Sequence, residues 1–179
     1  MLEKDLKKVL VSQEQIIERC AEIGAQLTEE YRESVGNVLF VGILKGSVPF
    51  MAELIKHIDL PIEIDFMCVS SYRGTKSVGD IKIIKDLDRS IIGMDIVLVE
   101  DIVDTGITIK RLKKMLYDKG AKSVKVVTLL DKPSRRQVEV EADYTGFKVE
   151  NEFVVGYGLD YNQLYRNLPY IGVLKDELY

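Results

Sequence analysis

Three near-continuous aliphatic runs constrain this chain more than any other feature: VLFVGIL (Val38–Leu44), DIVLVED (Asp95–Asp101) and SVKVVTLLDK (Ser123–Lys132). A strand with one face in water alternates apolar with polar residues. Strands that do not alternate are buried on both faces, as in parallel sheets covered by helices on each side. Helical spacing takes over between these runs. QIIERCAEIGAQLTEEY brings Ile16, Ile17, Cys20, Ile23 and Leu27 to one side, behind a capping-box signature of Ser12 and Gln15. VPFMAELIKHI reads as a short helix with Pro49 in its first turn. TIKRLKKMLYDKG sets Leu112, Met115 and Leu116 against a lysine-bearing face, with Gly120 available just past its end. The alternation predicts an α/β fold with a mostly parallel central sheet flanked by helices.

IEIDFMCV and IKIIKD read as further strands. The polar SSYRGTKSVGD between them (Ser70 to Asp80) has two glycines and no apolar period, which predicts a mobile loop. Beyond Arg135 the pattern breaks into short strands and turns, ending in YIGVL. The expected organisation is one domain over 1–179, with a small hood lobe drawn from roughly 1–15 and 145–179. A net charge of −4 supplies no general basic field, so nucleic acid is not an expected partner. The longest apolar run is far too short to span a bilayer, and MLEKDLKKVL lacks the apolar stretch of a signal peptide. Cys20 and Cys68 show no pairing pattern and read as reduced, as in a cytoplasmic protein.

The second aliphatic run continues as VLVEDIVDTGIT, Val97 to Thr108. In open parallel sheets ligands bind beyond the carboxyl ends of the strands. Here Glu100 and Asp101 stand where IVLV ends, and DTGIT leads into a helix. Backbone N–H groups at such a turn form a phosphate pocket, which Gly106 lets a ligand approach and to which Thr105 and Thr108 add hydroxyls. The acids would repel a phosphate unless they served ribose hydroxyls or a hard divalent cation. A plain reading makes them solvated loop residues and a helix cap. The co-occurrence of strand, acid pair, third acid and Thr-Gly-Ile-Thr turn favours a sugar-phosphate site. No Walker loop and no dinucleotide fingerprint is present.

This stretch closely resembles the phosphoribosyl-diphosphate motif of the type I phosphoribosyltransferases. GILKGS, SSYRGTKSVGDIKI, LLDKPSRR and FVVGYGLDYNQLYRNLPYIGVL extend the resemblance to the hypoxanthine, or hypoxanthine-guanine, branch over nearly the whole chain. The resemblance implies the type I fold and transfer of the phosphoribosyl group of 5-phosphoribosyl 1-diphosphate to a purine base in purine salvage, with Mg2+ as cofactor. It also implies assembly as a homodimer or homotetramer.

The resemblance further assigns roles. Asp104 matches the residue that handles the proton at purine N7, and a carboxylate suits that task; the lone His57 is far from every motif. Asp104, Thr105, Gly106, Ile107 and Thr108 match the 5′-phosphate loop. Glu100 and Asp101 match the acid pair at the ribose hydroxyls and metal, joined in the metal set by Asp160, which also stands near purine position 2. Lys45 and Gly46 match the pyrophosphate turn, whose Leu-Lys bond the family holds cis, and Arg166 matches another pyrophosphate contact. Arg136 stands either near the same anion or in solvent. Lys132 matches the donor to purine O6, Phe153 the aromatic that stacks on the base, and Val154 a main-chain contact to its edge. Ser71 and Tyr72 match the lid. Two other readings stay open here: a xanthine-preferring transferase, and a non-catalytic regulator that senses the diphosphate.

Overall fold

In a computed structural model that describes residues 2–71 and 81–179, the aliphatic runs lie side by side. In chain order the elements are β1 (Leu6–Val11), α1 (Gln13–Glu30), β2 (Val38–Leu44), α2 (Val48–Leu54), β3 (Glu63–Ser71), β4 (Ile81–Lys85) and β5 (Asp95–Val103). There follow α3 (Ile107–Asp118), β6 (Ser123–Asp131), β7 (Tyr144–Lys148), β8 (Val154–Val155) and β9 (Ile171–Leu174). A six-stranded sheet has the order β4-β3-β2-β5-β6-β7. Only the edge pairing of β3 with β4 is antiparallel; the other pairings in it are parallel.

Each helix forms where the sequence punctuates it. Ser12 and Gln15 close the capping box of α1 reciprocally. At the end of α3, Gly120 takes φ +91, and the amides of Gly120 and Ala121 reach back to the carbonyls of Tyr117 and Leu116. That pair of bonds satisfies carbonyls the helix would otherwise leave unpaired. The strands bury both faces as the unbroken aliphatic runs require. Phe40, Val97, Val99, Val127 and Leu129 meet α1 and α2 through Ile16, Ile23, Leu27, Phe50 and Leu54. Leu39, Val41, Ile96, Leu98, Val124 and Val126 meet Ile109, Leu112 and Leu116 of α3 on the other face. Each such side chain contributes roughly 1.5–3 kcal/mol by leaving water. His57 is a structural residue, its Nε2 3.0 Å from Glu53 Oε1.

A second, three-stranded antiparallel sheet, β1-β9-β8, joins segments from both ends of the chain. The sequence expectation drew the hood from about residue 145 onward, but Tyr144–Lys148 is the edge strand of the large sheet, paired parallel with β6. Of the two expected lid residues, Tyr72 lies outside the described residues, and Ser71 is described only as the last residue of β3.

The chain runs from β2 outward to β3, then returns to the other side of β2 to lay down β5, β6 and β7. The β2–β5 pair is therefore the topological switch point, and the loops leaving its carboxyl ends face a common crevice.

Candidate active site

The loop after β2 opens with a cis peptide between Leu44 and Lys45. Gly46 follows, and a Cβ there would lie 1.5 Å from Asp101 Oδ2. On its other side a Cβ at Gly158 would lie 1.9 Å from the Gly46 carbonyl oxygen. The turn after β2 thus lies against the Asp101 side chain on one side and against the hood backbone at Gly158 on the other, a proximity only glycine permits. The Lys45 ammonium donates to Gln163 Oε1 at 3.4 Å, and Arg166 donates to the same oxygen at 3.1 Å. Arg166 also donates to the Gly158 carbonyl (2.7 Å) and pairs with Asp160 Oδ1 (2.7 Å). Lys45, Gly46 and Arg166 therefore lie together at the end of β2. Gln163, the shared acceptor that holds the two cations together, was not anticipated. Its φ of +68, with Asn162 at +50 and Tyr165 at +73, turns the loop back on itself. Nothing in the letters NQLY marks such a path.

The second wall is the end of β5. Glu100 extends the buried row of Ile96 and Leu98 and is only 7% exposed. Burial, reinforced by the charge of Asp101, holds its carboxyl well above the usual range. Burial also pushes Asp101 up to about 6, against the pull of the Ile102 amide and of Arg166. Burial therefore makes both acids costly to ionise.

A cavity lined by Glu100, Asp101, Asp104, Thr105, Gly106 and Thr108 opens just beyond them. Gly106, at φ +80, begins α3. The Ile107 amide donates to the Thr105 hydroxyl, while its side chain faces a separate groove with Lys110, Lys114 and Val138. Arg136 is packed into the turn rather than solvated, its side chain only 15% exposed. It pairs with Asp131 and donates to the carbonyls of Val103 and Asp104, and Gln137 N–H donates to the Thr105 carbonyl. These bonds clamp the backbone of residues 103–105 from outside.

The third wall follows β6. The Lys132 amide donates to the Val103 carbonyl at 2.9 Å, tying the ends of β5 and β6 together. Its buried ammonium donates to the Glu152 carbonyl at 2.6 Å, and burial lowers its pKa. Asp104, Lys132, Arg135, Asn151, Glu152, Phe153 and Tyr179 line a second cavity. Asp104 borders both cavities. Its carboxylate accepts from Arg135 Nε at 2.7 Å, a contact the motif comparison missed because SRR carries no periodic signal. Val154 is buried in the core and lies in β8, paired with Val173 of β9.

Among the described residues no group of three carboxylate, His or Cys side chains stands close enough to hold a metal. The expected trio of Glu100, Asp101 and Asp160 is therefore not a preformed cage, because Arg166 holds Asp160. Glu100 and Asp101 still suit Mg2+, which commonly takes one or two carboxylates and completes its shell with water and substrate oxygens. Their buried, penalised charge is what a hard cation would relieve.

The same penalty predicts a stability effect. Asp101 binds its proton more tightly folded than unfolded, so its contribution is intact below about pH 4 and lost as pH rises through about 6. In metal-free buffer Asp101→Asn is expected to raise Tm above pH 7 and leave it unchanged near pH 4. Thermal melts across that range check this, and equal Tm values at pH 7.5 would refute it.

The family model of the phosphoribosyl transferase domain matches residues 8–162. The chain is 60% identical over 179 residues to the hypoxanthine-guanine phosphoribosyltransferase of Lactococcus lactis subsp. lactis, covering 99% of this chain and 96% of that one. The crystal structure of a hypoxanthine phosphoribosyltransferase from Staphylococcus aureus superposes with a TM-score of 0.94 at 52% identity, over 99% of this chain and 96% of that one. The Trypanosoma cruzi hypoxanthine phosphoribosyltransferase in complex with the product IMP gives 0.93 at 37% identity, over 98% of each chain.

Proposed function

The chain belongs to the phosphoribosyltransferase family, and from that premise we propose that the crevice at the β2–β5 switch point joins a 6-oxopurine to ribose 5-phosphate at Asp104. The protein is a glycosyltransferase of purine salvage. It transfers the phosphoribosyl group of 5-phosphoribosyl 1-diphosphate to N9 of hypoxanthine or guanine, giving IMP or GMP and pyrophosphate. The N9–C1′ bond forms as the bond from C1′ to the pyrophosphate oxygen breaks.

One observation carries the assignment of parts: Asp104 borders both the phosphate-loop cavity and the cavity of Lys132 and Phe153. A base in the second cavity meets a ribosyl phosphate in the first at that carboxylate. Asp104 then accepts or holds the N7 proton, and its charge favours the positive charge that develops on the ribosyl ring. The amides and hydroxyls of Thr105 to Thr108 hold the 5′-phosphate at the start of α3. Lys45, the Gly46 amide and Arg166 receive the pyrophosphate. Glu100 and Asp101 hold the ribose hydroxyls and Mg2+; when bound, that ion supplies charge neutralisation of the diphosphate. Lys132 donates to purine O6, which adenine cannot match because its 6-amino group does not accept that bond.

Reduced Cys20, whose thiol burial pushes up to about 12, and unpaired Cys68 support a cytoplasmic location. No helix among the described residues is long and apolar enough to cross a membrane. Assembly as a dimer or tetramer is part of the same proposal.

Steady-state rates with hypoxanthine, guanine, xanthine and adenine, with Mg2+ and 5-phosphoribosyl 1-diphosphate, test the reading. Turnover of hypoxanthine and guanine but not adenine is expected; a preference for adenine would overturn the role of Lys132. Lys132→Ala is expected to raise KM for hypoxanthine roughly ten- to a hundredfold, the worth of a charged hydrogen bond of about 1.5–3 kcal/mol. KM for the diphosphate should move little, and equal increases in both would contradict the assignment.

A further inference from the structure

Phe153 does not stand alone beside the base cavity. The ring of Tyr179 stacks on it, with centroids 4.5 Å apart and planes at 25°. Tyr161 meets it edge-on, at 5.6 Å and 90°. Tyr179 also lines the cavity shared by Asp104, Lys132 and Phe153.

Its position is built rather than incidental. The short turn Asp176–Leu178 is tied at its start by the Lys175 amide to the Asp5 carbonyl (3.0 Å). Leu178 packs with the cluster of Leu6, Val155 and Leu174. The Tyr179 hydroxyl donates to Asp176 Oδ1 at 2.8 Å, and Asp176 is held in turn by Lys7 of β1. A chain of contacts thus runs from the hood sheet, through Tyr179, to the face of Phe153.

We propose that Tyr179 is a positioning residue for the purine: its ring, stacked over one face of Phe153, fixes the plane of the ring against which the base lies. This rests on the reading of Phe153 as the base-stacking residue. Two approaches to the Phe153 ring, one stacked and one edge-on, define its tilt, and a base stacking on a ring of fixed tilt loses less freedom there than on a rotating one. The hydroxyl bond to Asp176 is a secondary tether.

Steady-state kinetics on the whole chain test it, with hypoxanthine and 5-phosphoribosyl 1-diphosphate varied in turn. Tyr179 is 51% exposed, so its truncation leaves the core intact. Tyr179→Ala is expected to raise KM for hypoxanthine roughly three- to tenfold, in line with an aromatic pair. KM for the diphosphate and Tm should stay at wild-type values, and Tyr179→Phe, which keeps the ring, should restore KM for hypoxanthine to within about twofold. An unchanged KM for hypoxanthine in Tyr179→Ala overturns the proposal. A lowered one overturns it too, since the ring would then be competing with the base. Parallel rises in both KM values with a fall in Tm would mark a purely structural residue. Phe153→Ala separates the levels. If it raises KM for hypoxanthine and Tyr179→Ala does not, only the proposal falls; if neither does, the reading of Phe153 falls with it.

Discussion

Replacing Asp104 by Asn is expected to lower kcat by roughly two to four orders of magnitude, the range for loss of a positioned proton-transfer group. KM for 5-phosphoribosyl 1-diphosphate should stay within about threefold of wild type, because the loop amides proposed to hold the phosphate are untouched. Asn is the informative replacement because of Arg135. The Arg135 Nε donates to Asp104 Oδ1 at 2.7 Å, and an Asn carbonyl oxygen can accept the same bond. The amide thus preserves the shape at the junction of the two cavities while removing the proton acceptor. Asp104→Ala should lose as much kcat and also free Arg135, with a visible change in purine affinity. Rapid-quench measurement of the chemical step, with calorimetry for IMP binding, checks both. Wild-type turnover in Asp104→Asn would remove Asp104 from proton transfer.

How far the fold was legible follows from where its information lies along the chain. β5 and α3 were readable because their signals are local: an unbroken aliphatic strand, acids at its carboxyl end and a Gly106 that starts the helix at φ +80. The Ser12/Gln15 box and the Gly120 cap were readable for the same reason. The β1–β9 pairing was not, since a strand spelled LKKVLV has no local feature naming a partner beyond residue 170. β7 was displaced into the hood by the expectation because YTGFK is short and only partly buried, and its place on the large sheet depends on β6.

The site divides in the same way. Residues at the end of β5 and on the 104–108 turn could be grouped from motif and chemistry together, and all of them but Ile107 line one cavity. Those that orient them could not. Gln163 draws Lys45 and Arg166 together through a left-handed loop with no glycine at its turning points. Arg135 meets Asp104 across a gap in sequence, and Arg136, left open between anion and solvent, is a backbone clamp. Charged side chains on loops have many possible partners, and only the assembled geometry selects one.

Gly46 is the position where that geometry leaves least room. Gly46→Ala is expected to reduce kcat/KM for 5-phosphoribosyl 1-diphosphate by at least about a hundredfold. The added Cβ would stand 1.5 Å from Asp101 Oδ2 and 2.5 Å from its Cγ. An ordinary contact needs roughly 3.5 Å, so something must move by about 2 Å. The backbone around Asp101 is held on one side, where Glu100 and Ile102 pair with Thr128 and Leu130 of β6, and the pairing with β2 ends just before it at Val99. The turn cannot slide toward the hood, because the Gly46 carbonyl already abuts Gly158, where a Cβ would be 1.9 Å away. What remains is rotation of the Asp101 carboxylate out of the crevice or outward displacement of the Lys45–Gly46 turn. Either removes a group assigned to the diphosphate end, and a misplacement of about 1 Å already costs on the order of a hundredfold in rate. Purine affinity, measured with IMP, should change far less, since Lys132 and Phe153 sit on other elements. Adding Asp101→Ala removes the obstructing carboxylate and is expected to restore Tm but not turnover, which distinguishes steric conflict from loss of a ligand. Wild-type kinetics in Gly46→Ala would mean the turn is free to move, and that its close packing against the Asp101 side chain and Gly158 does not shape the diphosphate site.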